Sequence, residues 1–230
     1  MKKWLPVYMT VILSILTVAW LGSRAVTVFV ESTPVAGKHC IIIDAGHGGE
    51  DGGATSCTGR LESGYNLEIA LRLENLLHLL GYDTKMTRTT DVSIYTKGET
   101  IAQKKVSDLK ERVRIVNDTP NALLLSIHQN YFSDGRYSGA QVFYANTEGS
   151  QLLADRLQAG FSGALDPDNH RKAKKAEGIY LMERIQRPGI LIECGFLSNA
   201  QEEAKLREAE YQKRFCSVLV TTVAEFLSNT

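Results

Sequence analysis

Short apolar runs alternate with stretches whose apolar residues recur at helical spacing, and that alternation restricts this chain's fold more than any other feature of its sequence. Ile41, Ile42 and Ile43 are β-branched and lead into Asp44 and a glycine-rich segment, which predicts a buried strand opening into a loop. From Tyr65 onward Leu67, Ala70, Leu73, Leu77 and Leu80 keep helical register until Gly81 stops them. A strand over Asp83 to Met86 follows, then a helix over Ser107 to Asn117 with Leu109, Val113 and Val116 on one face. Pro120 separates that helix from a strand over Ala122 to Ile127. Further on come a strand over Ala140 to Ala145, a helix over Gln151 to Phe161, a strand over Gly189 to Ile192, and one or two closing helices over Glu202 to Leu227. The pattern predicts an α/β fold, a mixed, mostly parallel central sheet of about six strands with helices on both faces.

Ahead of this region, Lys2 and Lys3 precede an uncharged stretch from Trp4 to Ser23, close to the roughly 20 residues that a helix needs to cross a bilayer. Trp4, Tyr8 and Trp20 lie towards its ends, where aromatic side chains suit the membrane interface. Leu21 to Arg24 offers no clean small-residue cleavage site, so the expectation is an uncleaved transmembrane anchor over residues 1–24. With the lysines inside, the remainder lies outside the cytoplasm. Residues 25–38 read as a linker and residues 39–230 as a single domain. Lys plus Arg and Asp plus Glu both number 26, and a net charge of zero gives no general attraction for nucleic acid. Cys40, Cys57, Cys194 and Cys216 include no C-x-x-C pair, so free thiols are the plain reading, although a disulfide is permitted outside the cytoplasm.

Four segments carry the candidate chemistry: Asp44 to Gly49 (DAGHGG), Leu61 to Leu67 (LESGYNL), Ser126 to Asn130 (SIHQN) and Ile192 to Asn199 (IECGFLSN). Parallel strands would bring His47 and His128 out at the same sheet edge, where such folds build their sites. Neutral imidazoles with one carboxylate suit zinc, and catalytic zinc sites keep a fourth position open for water. His47, Glu62 and His128 would supply that set, with Glu50, Asp51 and Glu68 as rival carboxylates. Glu193 directly follows three aliphatic residues and could accept a proton from the bound water. The combination fits amide hydrolysis, in which a poor electrophile and a poor leaving group both need help, and it requires no serine or cysteine nucleophile. Arg88 and Asn130 read either as substrate contacts or as an ion pair and a turn hydrogen bond. Arg171 to Lys175 holds four basic residues among five, which could meet carboxylates of a substrate or partner, or simply form a solvated loop.

At these residues, and over essentially everything from Ile41 to the C-terminus, the chain resembles the zinc-dependent N-acetylmuramoyl-L-alanine amidases whose signature opens DPGHGG. The resemblance implies a mixed α/β sheet, zinc held by His47, Glu62 and His128, and a catalytic Glu193; it selects Glu62 over its rivals. It implies cleavage of the bond between the lactyl group of N-acetylmuramic acid and the L-alanine of the stem peptide. Ala45 replaces the usual proline, which alters loop stiffness more than chemistry. Within the family, the N-terminal anchor, Lys110 to Asn117 and Arg171 to Met182 are similar to the germination-specific amidases of endospore formers. That similarity implies action on spore-cortex peptidoglycan between mother cell and forespore, as the first step towards muramic-δ-lactam, which a deacetylase completes. In some clostridial relatives a lipoprotein partner is needed for activity, which makes an activating lipoprotein a candidate partner here, with independence of one as the alternative. The alternatives are a vegetative cell-separation amidase of the same chemistry, a silent peptidoglycan-binding domain, and a zinc peptidase acting within the stem peptide.

Overall fold

Ile41, Ile42 and Ile43 are all fully buried, which a strand achieves only inside a sheet covered on both faces. The computed structural model describes residues 39–229 and places that strand, β1 (Cys40–Ala45), second in a six-stranded sheet. The elements follow as α1 (Glu62–Leu79), β2 (Asp83–Met86), α2 (Ile101–Asp118), β3 (Ala122–Asn130), β4 (Gln141–Tyr144), α3 (Ser150–Ala164), β5 (Lys174–Lys175), α4 (Tyr180–Arg184), β6 (Gly189–Phe196), α5 (Ala200–Arg207) and α6 (Ala209–Leu227). The strand order is β2-β1-β3-β6-β4-β5. β2, β1, β3 and β6 run parallel, β4 runs antiparallel to β6, and β5 is parallel to β4. The sheet is therefore mixed and mostly parallel, as the alternation in the sequence predicts.

Side chains on alternate positions feed two cores. Ile41, Ile43, Leu123, Leu125, Ile127, Ile190 and Ile192 pack with Tyr65, Ile69 and Leu73 of α1, Leu157 and Phe161 of α3, and Phe215 and Leu219 of α6. The other face is smaller: Ile42, Leu124 and Leu191 meet Val116 of α2 and Leu181 and Met182 of α4. On that second face the same alternation carries Asp44, Ser126, His128 and Glu193 towards the C-terminal edge of the parallel strands.

Several boundaries differ from the sequence reading. α2 starts at Ile101 rather than Ser107, because Thr100 and Gln103 form a reciprocal capping box there. Ala102 and Val106 extend the spacing of Leu109, Val113 and Val116 back through these turns, although Ile101 and Val106 are 66% and 50% exposed and pack on no core. β3 and β6 run on to Asn130 and Phe196, so His128 and Glu193 lie on strands rather than after them. β5 and α4 are short and had no signal in the sequence. The expected anchor over residues 1–24 and linker over residues 25–38 lie outside the described residues. Among the described residues no helix is long and apolar enough to cross a membrane.

Phe161 and Phe215 stack at 4.6 Å between ring centroids and join α3 to α6 in the larger core. Phe215→Ala is expected to cost about 3–5 kcal/mol of unfolding free energy in a denaturant titration. Leu152→Ala, at a half-exposed position of α3, is expected to stay within about 0.5 kcal/mol of wild type.

Candidate active site

The loop that leaves β1 turns sharply, with His47 in the left-handed region at φ 59° and Gly48 and Gly49 also at positive φ. Two buried arginines hold that shape. Arg88 donates to the carbonyls of Ala45 (2.9 Å) and Gly46 (3.0 Å), and across to that of Ser63 (2.8 Å), the residue after Glu62. Arg112, from α2, donates to the carbonyls of Ala45 and His47, both at 2.9 Å, and pairs with the carboxylates of Asp44 and Asp108. Asp44 also accepts from Thr87 (2.9 Å) and Ser126 (2.6 Å). Burial alone would raise the Asp44 pKa, but the Arg112 charge and these hydrogen bonds outweigh it and hold the carboxyl below its ordinary value. Gly46 is required because a Cβ there would collide with the His128 ring.

His47, Glu62 and His128 converge from this loop, the first turn of α1, and β3. Each offers one ligand atom, and the three atoms lie within 4.8 Å of one another. His47 Nε2 is 3.3 Å from Glu62 Oε2, and His128 Nδ1 is 3.0 Å from Glu62 Oε1. The Glu62 carboxylate further accepts from the backbone N–H groups of Ala54 (3.0 Å) and Gln129 (3.1 Å) and from Asn66 Nδ2 (3.2 Å). These donors fix its orientation. On the far side of its ring, His47 Nδ1 lies 3.0 Å from Asp51 Oδ2, which fixes the orientation of the ring and leaves Nε2 to face Glu62. Burial opposes a charge on His47, but hydrogen bonds to Asp51 and Glu62 prevail and push its pKa up to about 9. Burial likewise opposes ionisation of Glu62, and the two imidazoles override it, holding the carboxyl far below the carboxylate range. Two imidazoles and one carboxylate, preorganised around one point, are a donor set that fits zinc.

Glu193 stands beside this cluster, in register with His128 across the β3–β6 pair. Its Oε2 is buried and has no hydrogen-bond partner among the described residues. Burial pushes its carboxyl up to about 7; His128 and His47 pull the value down and Glu62 pushes it up. A cleft of about 290 Å³ opens from His47 and His128 between α2 and the segment before α4, with Leu109, Ile179 and Leu191 on its walls and Lys105 at its rim.

The family profile described as N-acetylmuramoyl-L-alanine amidase matches residues 41–225. The chain belongs to that family. It is an N-acetylmuramoyl-L-alanine amidase, and its substrate is peptidoglycan. The germination-specific N-acetylmuramoyl-L-alanine amidase of Bacillus subtilis is 35% identical over 204 residues, which cover 86% of this chain and 83% of that protein. The amidase LytC of the same organism is 30% identical over 184 residues, 79% of this chain and 34% of that protein. The CwlD amidase of Clostridioides difficile, solved in complex with the GerS lipoprotein, has a similar fold at a TM-score of 0.80 and 35% identity, covering 84% of this chain and 100% of that one.

The structure brings His47, Glu62, His128 and Glu193 to one edge of the sheet. Of the rival carboxylates, Asp51 holds the back of His47, whereas Glu50 pairs with Lys104 and Glu68 with Arg60 at the surface. Arg88, read from sequence as a substrate contact or an ion pair, does pair with Asp91 at 3.9 Å, and it is also a buried strut under the His47 loop. Arg112 was missed, yet it interrupts the apolar face of α2 between Leu109 and Val116, and a charge in that position signals a buried partner. Arg112→Met leaves Asp44 buried without its cation and is expected to cost about 3–5 kcal/mol in denaturant unfolding. Because the Asp44 pKa is depressed on folding, its contribution is full above the unfolded value near 4 and is lost as pH falls through the folded value. Between about pH 6 and about pH 3 the urea midpoint of Asp44→Asn is therefore expected to fall less than that of wild type.

Proposed function

We propose that this amidase holds a zinc ion through His47, Glu62 and His128 and uses Glu193 to move protons during hydrolysis of the amide joining the lactyl group of muramic acid to L-alanine. The observation that carries this is the convergence of three ligand atoms within 4.8 Å beside a buried carboxylate oxygen that no described protein group satisfies. Zinc, when bound, supplies Lewis acidity towards the scissile carbonyl and lowers the pKa of water towards about 7. Glu193, held near neutrality by burial, accepts the proton of the attacking water at Oε2 and returns it to the departing nitrogen of L-alanine. Asp51 and the backbone donors around Glu62 keep the ligands oriented throughout. Arg88 and Arg112 prevent the strained His47 loop from relaxing away from Glu62.

In the cell, the enzyme acts outside the cytoplasm, tethered by residues 1–24, and strips peptides from spore-cortex muramic acid as the first step towards muramic-δ-lactam. The similarity to the germination-specific amidase of Bacillus subtilis supports the cortex assignment. The complex of the Clostridioides difficile relative with GerS supports a lipoprotein partner that activates the enzyme. Spores of a deletion strain are expected to lack muramic-δ-lactam, and normal lactam content would contradict the cortex assignment.

Glu193→Gln is expected to retain zinc while kcat on purified muropeptides falls by about 10²–10⁴, the usual share of general acid–base catalysis. His47→Ala and His128→Ala are expected to lose both metal and activity, and wild type to lose activity on chelation and regain it with zinc. Mass spectrometry of the products should give peptides beginning with a free L-alanine. Undiminished turnover by Glu193→Gln, or fragments cut within the stem peptide, would contradict the assignment.

A further inference from the structure

Tyr131, Phe132 and Tyr137 are the exposed aromatic side chains among the described residues, and all three lie in the connection from β3 to β4. Large apolar side chains gathered on one exposed patch mark a surface that meets something. Their backbone is pinned. The Phe132 N–H donates to Ser198 Oγ (3.2 Å), Asn199 Nδ2 to the Tyr137 carbonyl (3.2 Å), and the Gly139 N–H to the buried carboxylate of Glu202 (2.8 Å). The rings form a ladder: Phe132 meets Tyr137 edge-on at 4.9 Å, Tyr137 stacks with Phe196 at 6.2 Å, and the Arg171 guanidinium lies 4.7 Å from the centre of the Phe196 ring.

This ladder sits level with the site. His128 pairs with Glu193, Glu193 pairs with Gln141, and Gln141 Nε2 donates to the Lys172 carbonyl at 2.8 Å. At about 4.8 Å per strand, that row puts the Lys172 backbone roughly 14 Å from that of His128. Tyr131 and Phe132 begin one residue beyond Asn130, which pairs with Phe196 across the β3–β6 bulge. Lys172, Lys174 and Lys175 are exposed, and no carboxylate among the described residues pairs with them. The chain as a whole carries no net charge, so this unneutralised cationic stretch is a local feature rather than a general one.

We propose that the surface from Tyr131 to Lys175 seats the glycan strand flanking the muramic acid under attack, with sugar rings on the exposed Tyr131, Phe132 and Tyr137, the last backed by the buried Phe196, and carboxylates of neighbouring stem peptides on the lysines. Pyranose rings present C–H faces that pack on aromatic rings, and a peptidoglycan strand carries anionic peptides at intervals along the same polymer. A fixed aromatic ladder bordered by unpaired cations complements both features at once. The inference rests on the amidase reading for the identity of the polymer and is independent of the metal.

The test sediments the full chain with insoluble peptidoglycan sacculi in the presence of chelator, so that neither zinc nor turnover enters the result. The double variant Tyr131→Ala/Phe132→Ala is expected to weaken binding about tenfold, and Lys172→Ala/Lys174→Ala to flatten its decline with added salt. Leu152→Ala, exposed on α3, should bind as wild type does. Wild-type affinity in both double variants, or a wild-type chain that fails to sediment with sacculi, would overturn the proposal. A wild-type dimer that Tyr131→Ala/Phe132→Ala converts to a monomer would assign the face to a second copy and overturn it equally. Failure of the zinc reading would appear separately, as absence of metal in the purified chain.

Discussion

Arg112 reaches the site face of the sheet from α2 with its guanidinium almost wholly out of water, donating through Nε to Asp108, through Nη1 to Asp44 and the Ala45 carbonyl, and through Nη2 to the His47 carbonyl. A buried cation is tolerable only because Asp44 and Asp108 meet it, and Asp44 is itself fixed by Thr87, just beyond β2, and by Ser126 on β3. Burial opposes the Arg112 charge, yet the two carboxylates keep its pKa above the ordinary arginine value. The loop backbone is thereby tied to β1, β2, β3 and α2 together. The left-handed turn at His47 is stable because these ties over-determine it.

From that anchor the rest of the site follows by register. β1 and β3 pair from Cys40 with Ala122 to Ala45 with Ile127, and β3 and β6 continue the row to His128 with Glu193. A shift of one residue in either pair would turn His128 or Glu193 into the larger core. The apolar cores thus specify where the polar groups emerge, and the arginines specify how far His47 stands from Glu62. Glu193 is the one group of the set left without a described partner, in a place where burial holds its proton affinity near neutrality. Structural carboxylates in this molecule are treated otherwise: Glu202 accepts from the Gly139 and Phe196 amides, and Glu203 from Thr58 and Tyr65.

Much of this was legible in the sequence, for identifiable reasons. Strands buried on both faces leave uninterrupted apolar runs, so β1, β3 and β6 announced themselves, and the segments at their ends carry His47, His128 and Glu193. The ends of β3 and β6 were placed too early because polar site residues break the apolar run while the backbone ladder continues beneath them. Glu62 could not be separated from Glu50, Asp51 and Glu68 by spacing, since its distinction is the set of donors that gather round it only in the folded chain. The struts were harder still. Arg88 and Arg112 act on backbone carbonyls, and carbonyls leave no mark on a sequence. The aromatic connection from β3 to β4 was silent for a similar reason: exposure of Tyr131, Phe132 and Tyr137 is a property of the fold and not of residue type.

If two imidazoles and one carboxylate on this edge hold a zinc ion, X-ray absorption at the zinc edge of the metal-loaded full chain should show a first shell of nitrogen and oxygen at about 2.0–2.2 Å with two imidazole scattering signatures and no sulfur. A sulfur shell near about 2.3 Å would assign the metal to the cysteines instead and contradict the site described.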